Sequence, residues 1–240
     1  MFPIAYSEFA QIFRNRAVLI SNLIMPLAVS AFFIYRRDTF IALGSTGYIA
    51  AVLVFTIGAF SLYTTSVTTL SARRQNLFLK RLRSTTAGDA TILSGLTLPV
   101  GVTALVQATV VLGVFAAVAG RPADLALLIA AIVSTFVMML ALAMATAGLT
   151  GSPEQAQVTT LPLSLTTIGV ATWVGITGTE DLALLKRVLP GGSAAELIVN
   201  SWNGGVPLTQ SLPLLAPILA WVIVAIVLAL RLFRWEPRSA

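Results

Sequence analysis

The chain has 240 residues, 57% of them apolar and 10% charged, with a net charge of +6. Soluble domains carry about 25% charged residues, so this chain cannot clothe a water-facing surface, and its mean hydropathy of +0.92 assigns it to lipid. The lack of cysteine and histidine excludes disulfides, thiol nucleophiles, His general bases and His- or Cys-ligated zinc or haem, and the basic excess reads as attraction to anionic lipid rather than to nucleic acid.

Residues 2–16 open the chain as a candidate amphipathic helix. Phe2, Tyr6, Phe9 and Phe13 recur on one stripe, and Glu8 falls on another face with Gln11 and Asn15. That pattern suits a helix lying in the headgroup region. Glu8, Arg14 and Arg16, with no small-residue cleavage site after the first apolar run, predict a retained N-terminus rather than a signal peptide.

A span needs about 20 mostly apolar residues. Six stretches qualify, at about 17–35, 46–70, 92–118, 124–149, 156–177 and 211–233, the fifth rich in threonine. Pro26, Pro99 and Pro162 fall inside or near the ends of spans, as kinks or as hinges. Between the last two spans, residues 178–210 are too short and interrupted to cross. They are apolar enough to dip into the interface or re-enter the bilayer. The expected fold is a single all-α integral membrane domain. It has six transmembrane helices, an interfacial N-terminal helix and a re-entrant outer segment before the last helix.

Lysine and arginine set the orientation. The termini and the loop at 71–91 hold Arg14, Arg16, Arg73, Arg74, Lys80, Arg81, Arg83, Arg231, Arg234 and Arg238. The other side holds Arg36, Arg37, Arg121, Lys186 and Arg187, offset by Asp38, Asp124, Glu180, Asp181 and Glu196. Both termini are therefore expected in the cytoplasm of a multi-pass plasma-membrane protein.

The loop after the second span interleaves Arg73, Arg74, Lys80, Arg81 and Arg83 with Leu77, Phe78, Leu79 and Leu82. Arg, Lys and Leu favour helix, and Asp89 is placed to cap the third span. A short helix both basic and apolar either anchors to lipid phosphates or inserts into a groove on a cytosolic partner.

This stretch, Arg73-Arg74 followed by Leu79-Lys80-Arg81-Leu82-Arg83 and Thr85, resembles the cytoplasmic signature of type-2 ABC transporter permeases. That family includes drug-resistance and polyketide-antibiotic exporters. The likeness extends to the layout of the whole chain. Gln75 stands where the family pattern is acidic, 75–78 lacks the usual glycine, and Thr86 stands where proline is common. The resemblance implies a permease that pairs with a second copy or a homologue above two cytosolic ATPase subunits. Arg73, Arg74, Leu77, Phe78, Lys80, Arg81, Leu82 and Arg83 would then form the coupling helix. This chain has no Gly-x-x-x-x-Gly-Lys-Ser/Thr stretch, so ATP and magnesium would be bound by the partner and no cofactor by this chain.

Hydroxyls mark two spans at helical spacing: Ser61, Thr64, Thr65 and Thr68 in the second, and Thr160, Ser164 and Thr167 in the fifth. Since the family usually lines its pathway with these two spans, the resemblance implies a pathway for an amphipathic or apolar cargo. Alternatively the hydroxyls bond carbonyls of their own helices. Gln107 in the third span reads as an interhelical hydrogen bond, and Glu154 as a solvated loop carboxylate. No Asp, Glu, Lys or Arg lies near the middle of a span, which disfavours proton- or sodium-driven carriage. An intramembrane enzyme is disfavoured too, since the spans lack carboxylate pairs and any Ser with a nearby base. A membrane scaffold without transport activity is the remaining reading.

Overall fold

The computed structural model describes residues 20–84 and 88–233, and the expected helix at 2–16 lies outside them. Every regular element among the described residues is helical. In chain order these are a π turn at Ile20–Ile24, α1 (Met25–Tyr35), α2 (Arg37–Leu43), α3 (Thr46–Gln75), α4 (Phe78–Arg83), α5 (Asp89–Ala119), α6 (Leu125–Leu149), α7 (Pro153–Thr177), α8 (Ala183–Val188), α9 (Gly192–Asn203) and α10 (Leu208–Leu232). Among the described residues, α3, α5, α6, α7 and α10 are the five helices long and apolar enough to cross a membrane. This is the architecture of a multi-pass membrane protein. In the first expected span the apolar helix described is Asn22–Tyr35, which is shorter than those five.

Local chemistry sets the boundaries. Ser45 caps α3 by accepting the Tyr48 N–H, Asp124 caps α6 through Leu127, and Ser152 caps α7 through Gln155. Pro153 sits in the first turn of α7, where its missing N–H costs nothing, whereas Pro26 follows directly on the π turn inside a continuous helical run. Pro99 and Pro162 lie inside α5 and α7, and neither interrupts its helix. Asp89 does not cap α5. Gly88 occupies the cap position and Asp89 the first turn, where a carboxylate still interacts favourably with the helix dipole.

Helix α3 runs through the centre, with 89% of its apolar window buried. From Ile49 to Phe55 its side chains are at most 2% exposed, and α5, α6, α7 and α9 pack around it. A helix apolar on all sides belongs inside a bundle. Helix α10 packs chiefly against α6 at the periphery. Its Leu219, Ile223, Ile226 and Leu230 point outward, as hydrocarbon permits.

Residues 178–210 fold as the helix-turn-helix α8–α9 at the end of the bundle where α3 begins. The turn passes through Gly191 at φ +97°, and a Cβ there would lie 2.8 Å from the Phe55 ring. Ala194, Ala195, Leu197, Ile198 and Trp202 of α9 are buried against α3, α6 and α7. Asn203 secures the other end of α9. Its Oδ1 accepts from the Gly47 N–H at 2.9 Å, and its Nδ2 donates to Ser45 Oγ at 2.9 Å.

Candidate functional site

The two ends of the bundle differ in charge. The end where α3 finishes carries Arg73, Arg74, Lys80, Arg81, Arg83 and Arg231 against Asp89 and Glu154. At the opposite end Arg36, Arg37, Arg121, Lys186 and Arg187 are matched by Asp38, Asp124, Glu180, Asp181 and Glu196.

At the basic end, α3 stops at Gln75 and the chain turns through Leu77 at φ +57°. This left-handed conformation is uncommon for a residue with a Cβ. The turn sets α4 against the core. Leu79 is fully buried, Phe78 and Leu82 are half-buried against the core, and Lys80 and Arg81 are exposed. Leu77 is itself 42% exposed. The Arg73 guanidinium lies 5.1 Å from the centre of the Phe78 ring, a cation–π contact. Arg74 points inward, only 3% exposed, and its guanidinium donates to the carbonyl of Thr150 between α6 and α7. The sequence-predicted set thus divides. Arg74 ties the segment to the next turn, Phe78 and Leu82 hold α4 down, and Leu77, Lys80 and Arg81 form its outer surface. Leu79, the most buried residue of α4, was not singled out as a site residue. Its position one turn ahead of Arg83 and three residues before Leu82 was the available signal. Glu154 is exposed in the first turn of α7.

The predicted hydroxyl stripes face inward. Ser61, Thr65, Thr160, Ser164 and Thr167 are all buried, and Thr64 and Thr68 are half-buried. Most bond their own helices. Thr64 donates to Ala59 O, Thr65 to Phe60 O, Thr68 to Thr64 O, Thr160 to Ala156 O and Thr167 to Ser164 O. Ser61 departs from this pattern. It sits at the centre of a π-helical turn, Gly58–Thr64, within α3, and its hydroxyl reaches across to other helices. Its Oγ lies 2.5 Å from the backbone oxygen of Asn22 and 2.5 Å from Gln107 Oε1. Gln107 Nε2 donates to Leu23 O at 3.3 Å, so Gln107 is the interhelical hydrogen-bonding residue its position suggested. Asn22 was missed by sequence reasoning. Its signal was a carboxamide within the first expected span.

At the opposite end, Lys186 is 2% exposed. Its ammonium donates to Thr177 Oγ1 at 2.8 Å and to Gly178 O at 2.7 Å, and lies 5.0 Å from the centre of the Trp173 ring. Glu196 of α9 accepts from Arg187 Nε at 2.8 Å and from its Nη2 at 2.6 Å, a bidentate pair. Thr179 donates to the same carboxylate at 2.8 Å. Hydrogen bonding to Glu196 raises the Arg187 pKa above its ordinary value. These contacts lock α8 to the end of α7 and to α9.

The sequence matches no model of a known protein family and no curated protein.

Proposed function

We propose that this chain is the membrane-spanning permease subunit of an ABC exporter, with the basic end in the cytoplasm as the surface that receives force from a separate ATPase. The observation that carries this reading is the anchoring of the basic segment. Lys80 and Arg81 project from a helix whose Leu79 is buried, and Arg74 joins the same segment to the α6–α7 turn. A load applied to α4 would therefore reach α3, α6 and α7 together instead of bending a loose loop. Polar or charged partners meet a surface with excess positive charge, suited to an acidic groove on a cytosolic protein.

In this reading both termini are cytoplasmic and the chain pairs with a second copy or a homologue. ATP and magnesium bind the ATPase, and cargo leaves the cytoplasm. The spans have no charged residue near their middles, which supports an apolar or amphipathic cargo such as a lipid, drug or natural product. Co-purification from membranes tests the coupling surface. A P-loop ATPase should copurify with the wild-type chain, and Arg73→Glu, Lys80→Glu, Arg81→Glu and Arg83→Glu combined should remove it. Equal recovery of the ATPase with the fourfold variant would refute the coupling role.

A further inference from the structure

Pro26 lies four residues after Asn22, and proline has no N–H to give the Asn22 carbonyl as the next turn of an α-helix would. The core stands in for it. Ser61 Oγ lies 2.5 Å from Asn22 O and 2.5 Å from Gln107 Oε1, and Gln107 Nε2 donates to Leu23 O at 3.3 Å. There are too few protons for these three contacts. Ser61 has one, which serves either Asn22 O or Gln107 Oε1. Turning the Gln107 amide over would satisfy Ser61 but set Oε1 against the Leu23 carbonyl. One contact therefore lacks a proton whichever way the amide is placed.

A spare donor is already buried on the same residue. The Asn22 carboxamide is 0% exposed, and neither its nitrogen nor its oxygen has a hydrogen-bond partner. An idle buried amide is costly and calls for an explanation. Asn22 is also the residue whose backbone oxygen Ser61 touches, so its carboxamide needs only a short movement to reach the contact that is short of a proton. The backbone has room to allow it. Asn22 and Ser61 sit at the centres of two π turns, Ile20–Ile24 and Gly58–Thr64, which pack against each other. Each π turn holds one residue more than an α-helical turn, and such turns are frequent at functional sites.

We propose that Asn22 is a two-position latch joining the first apolar helix to α3 and α5. In the position of this structure Ser61 holds the Asn22 backbone oxygen and the carboxamide is idle. In the second position the carboxamide turns in between Ser61 and Gln107. Its Nδ2 donates to Gln107 Oε1, its Oδ1 accepts from Ser61 Oγ, and Gln107 Nε2 keeps Leu23 O. The Asn22 carbonyl passes to the Leu27 N–H five residues on, a π-type bond that bypasses Pro26. Every contact then has its proton. The exchange moves the first apolar helix against α3 and α5 while the rest of the core stays packed, and whatever binds one position better shifts the balance. The latch concerns this chain alone and holds with or without a partner ATPase.

The test reads Asn22 directly, by NMR of the full chain in phosphatidylcholine nanodiscs with 15N confined to asparagine. The chain has five asparagines, and the Asn22 carboxamide signals are those that Asn22→Leu removes. Wild type should give two exchanging sets of Asn22 carboxamide signals, or one set that broadens on cooling. In one set the Nδ2 protons should cross-relax with the Gln107 side chain. Gln107→Leu removes the acceptor of the second position and should leave the idle set alone, sharp at every temperature. A wild-type signal that is single and sharp at every temperature would overturn the latch, as would two sets that Gln107→Leu leaves unchanged.

Discussion

Helices α3 and α10 invert the rule learned from soluble proteins. The most apolar 18-residue stretch of α10 has a mean hydropathy of 2.7, yet only 17% of it is buried; that of α3 has 1.7, and 89% of it is buried. In water the more apolar helix would be the core. In lipid, apolar side chains gain little by leaving hydrocarbon, so packing is won by small residues and internal hydrogen bonds. Helix α3 has both. Gly47 lets it approach α9 so closely that a Cβ would lie 2.9 Å from the Val199 backbone, and Ser61 and Tyr63 bond to Gln107 and Thr146 on neighbouring helices. Helix α10 offers an outward face of Leu, Ile and Val that asks for nothing but acyl chains.

The contrast predicts a graded set of effects, measured as thermal unfolding in detergent. Phe55→Ala empties a site with 0% exposure in α3 and should cost about 3–5 kcal/mol. Little change there would mean that α3 is not the core. Arg74→Ala should cost about 1–3 kcal/mol, because it strips the buried Thr150 carbonyl of its donor. Arg187→Ala and Glu196→Ala in a double-mutant cycle should show coupling of about 1 kcal/mol or less, shrinking with salt, because the Arg187 side chain is 42% exposed. Ile223→Ala in α10, at a side chain 62% exposed, should stay within about 0.5 kcal/mol. A cost there matching that of Phe55→Ala would erase the distinction between the two helices.

Much of this fold is legible in the sequence, because a spanning helix must be a long apolar run. The expected 124–149 and 156–177 correspond to Leu125–Leu149 and Pro153–Thr177, and 211–233 to Leu208–Leu232. The second span runs on from residue 70 to Gln75, since Arg74 buries its charge on a carbonyl instead of ending the helix in water. What hydropathy cannot supply is a partner. It scores transfer from water to oil, so it cannot separate α3, the centre, from α10, the rim. The same blindness applies to the hydroxyl stripes, where Thr160 bonding its own helix and Ser61 crossing to another look alike as letters. The π turns at Ile20–Ile24 and Gly58–Thr64 have no compositional signature, and with them Asn22 escaped notice.

The proposed mechanism needs the basic end of the bundle to lie in the cytoplasm and the α8–α9 end outside. The natural chain has no cysteine, so single introduced thiols report without background. Asn76 and Glu180 are exposed at the two ends. In intact cells a membrane-impermeant maleimide should label Glu180→Cys at once and Asn76→Cys only after the membrane is opened. Labelling of Asn76→Cys in sealed cells, with Glu180→Cys protected, would put the basic helix on the wrong side for any cytosolic ATPase and contradict the account.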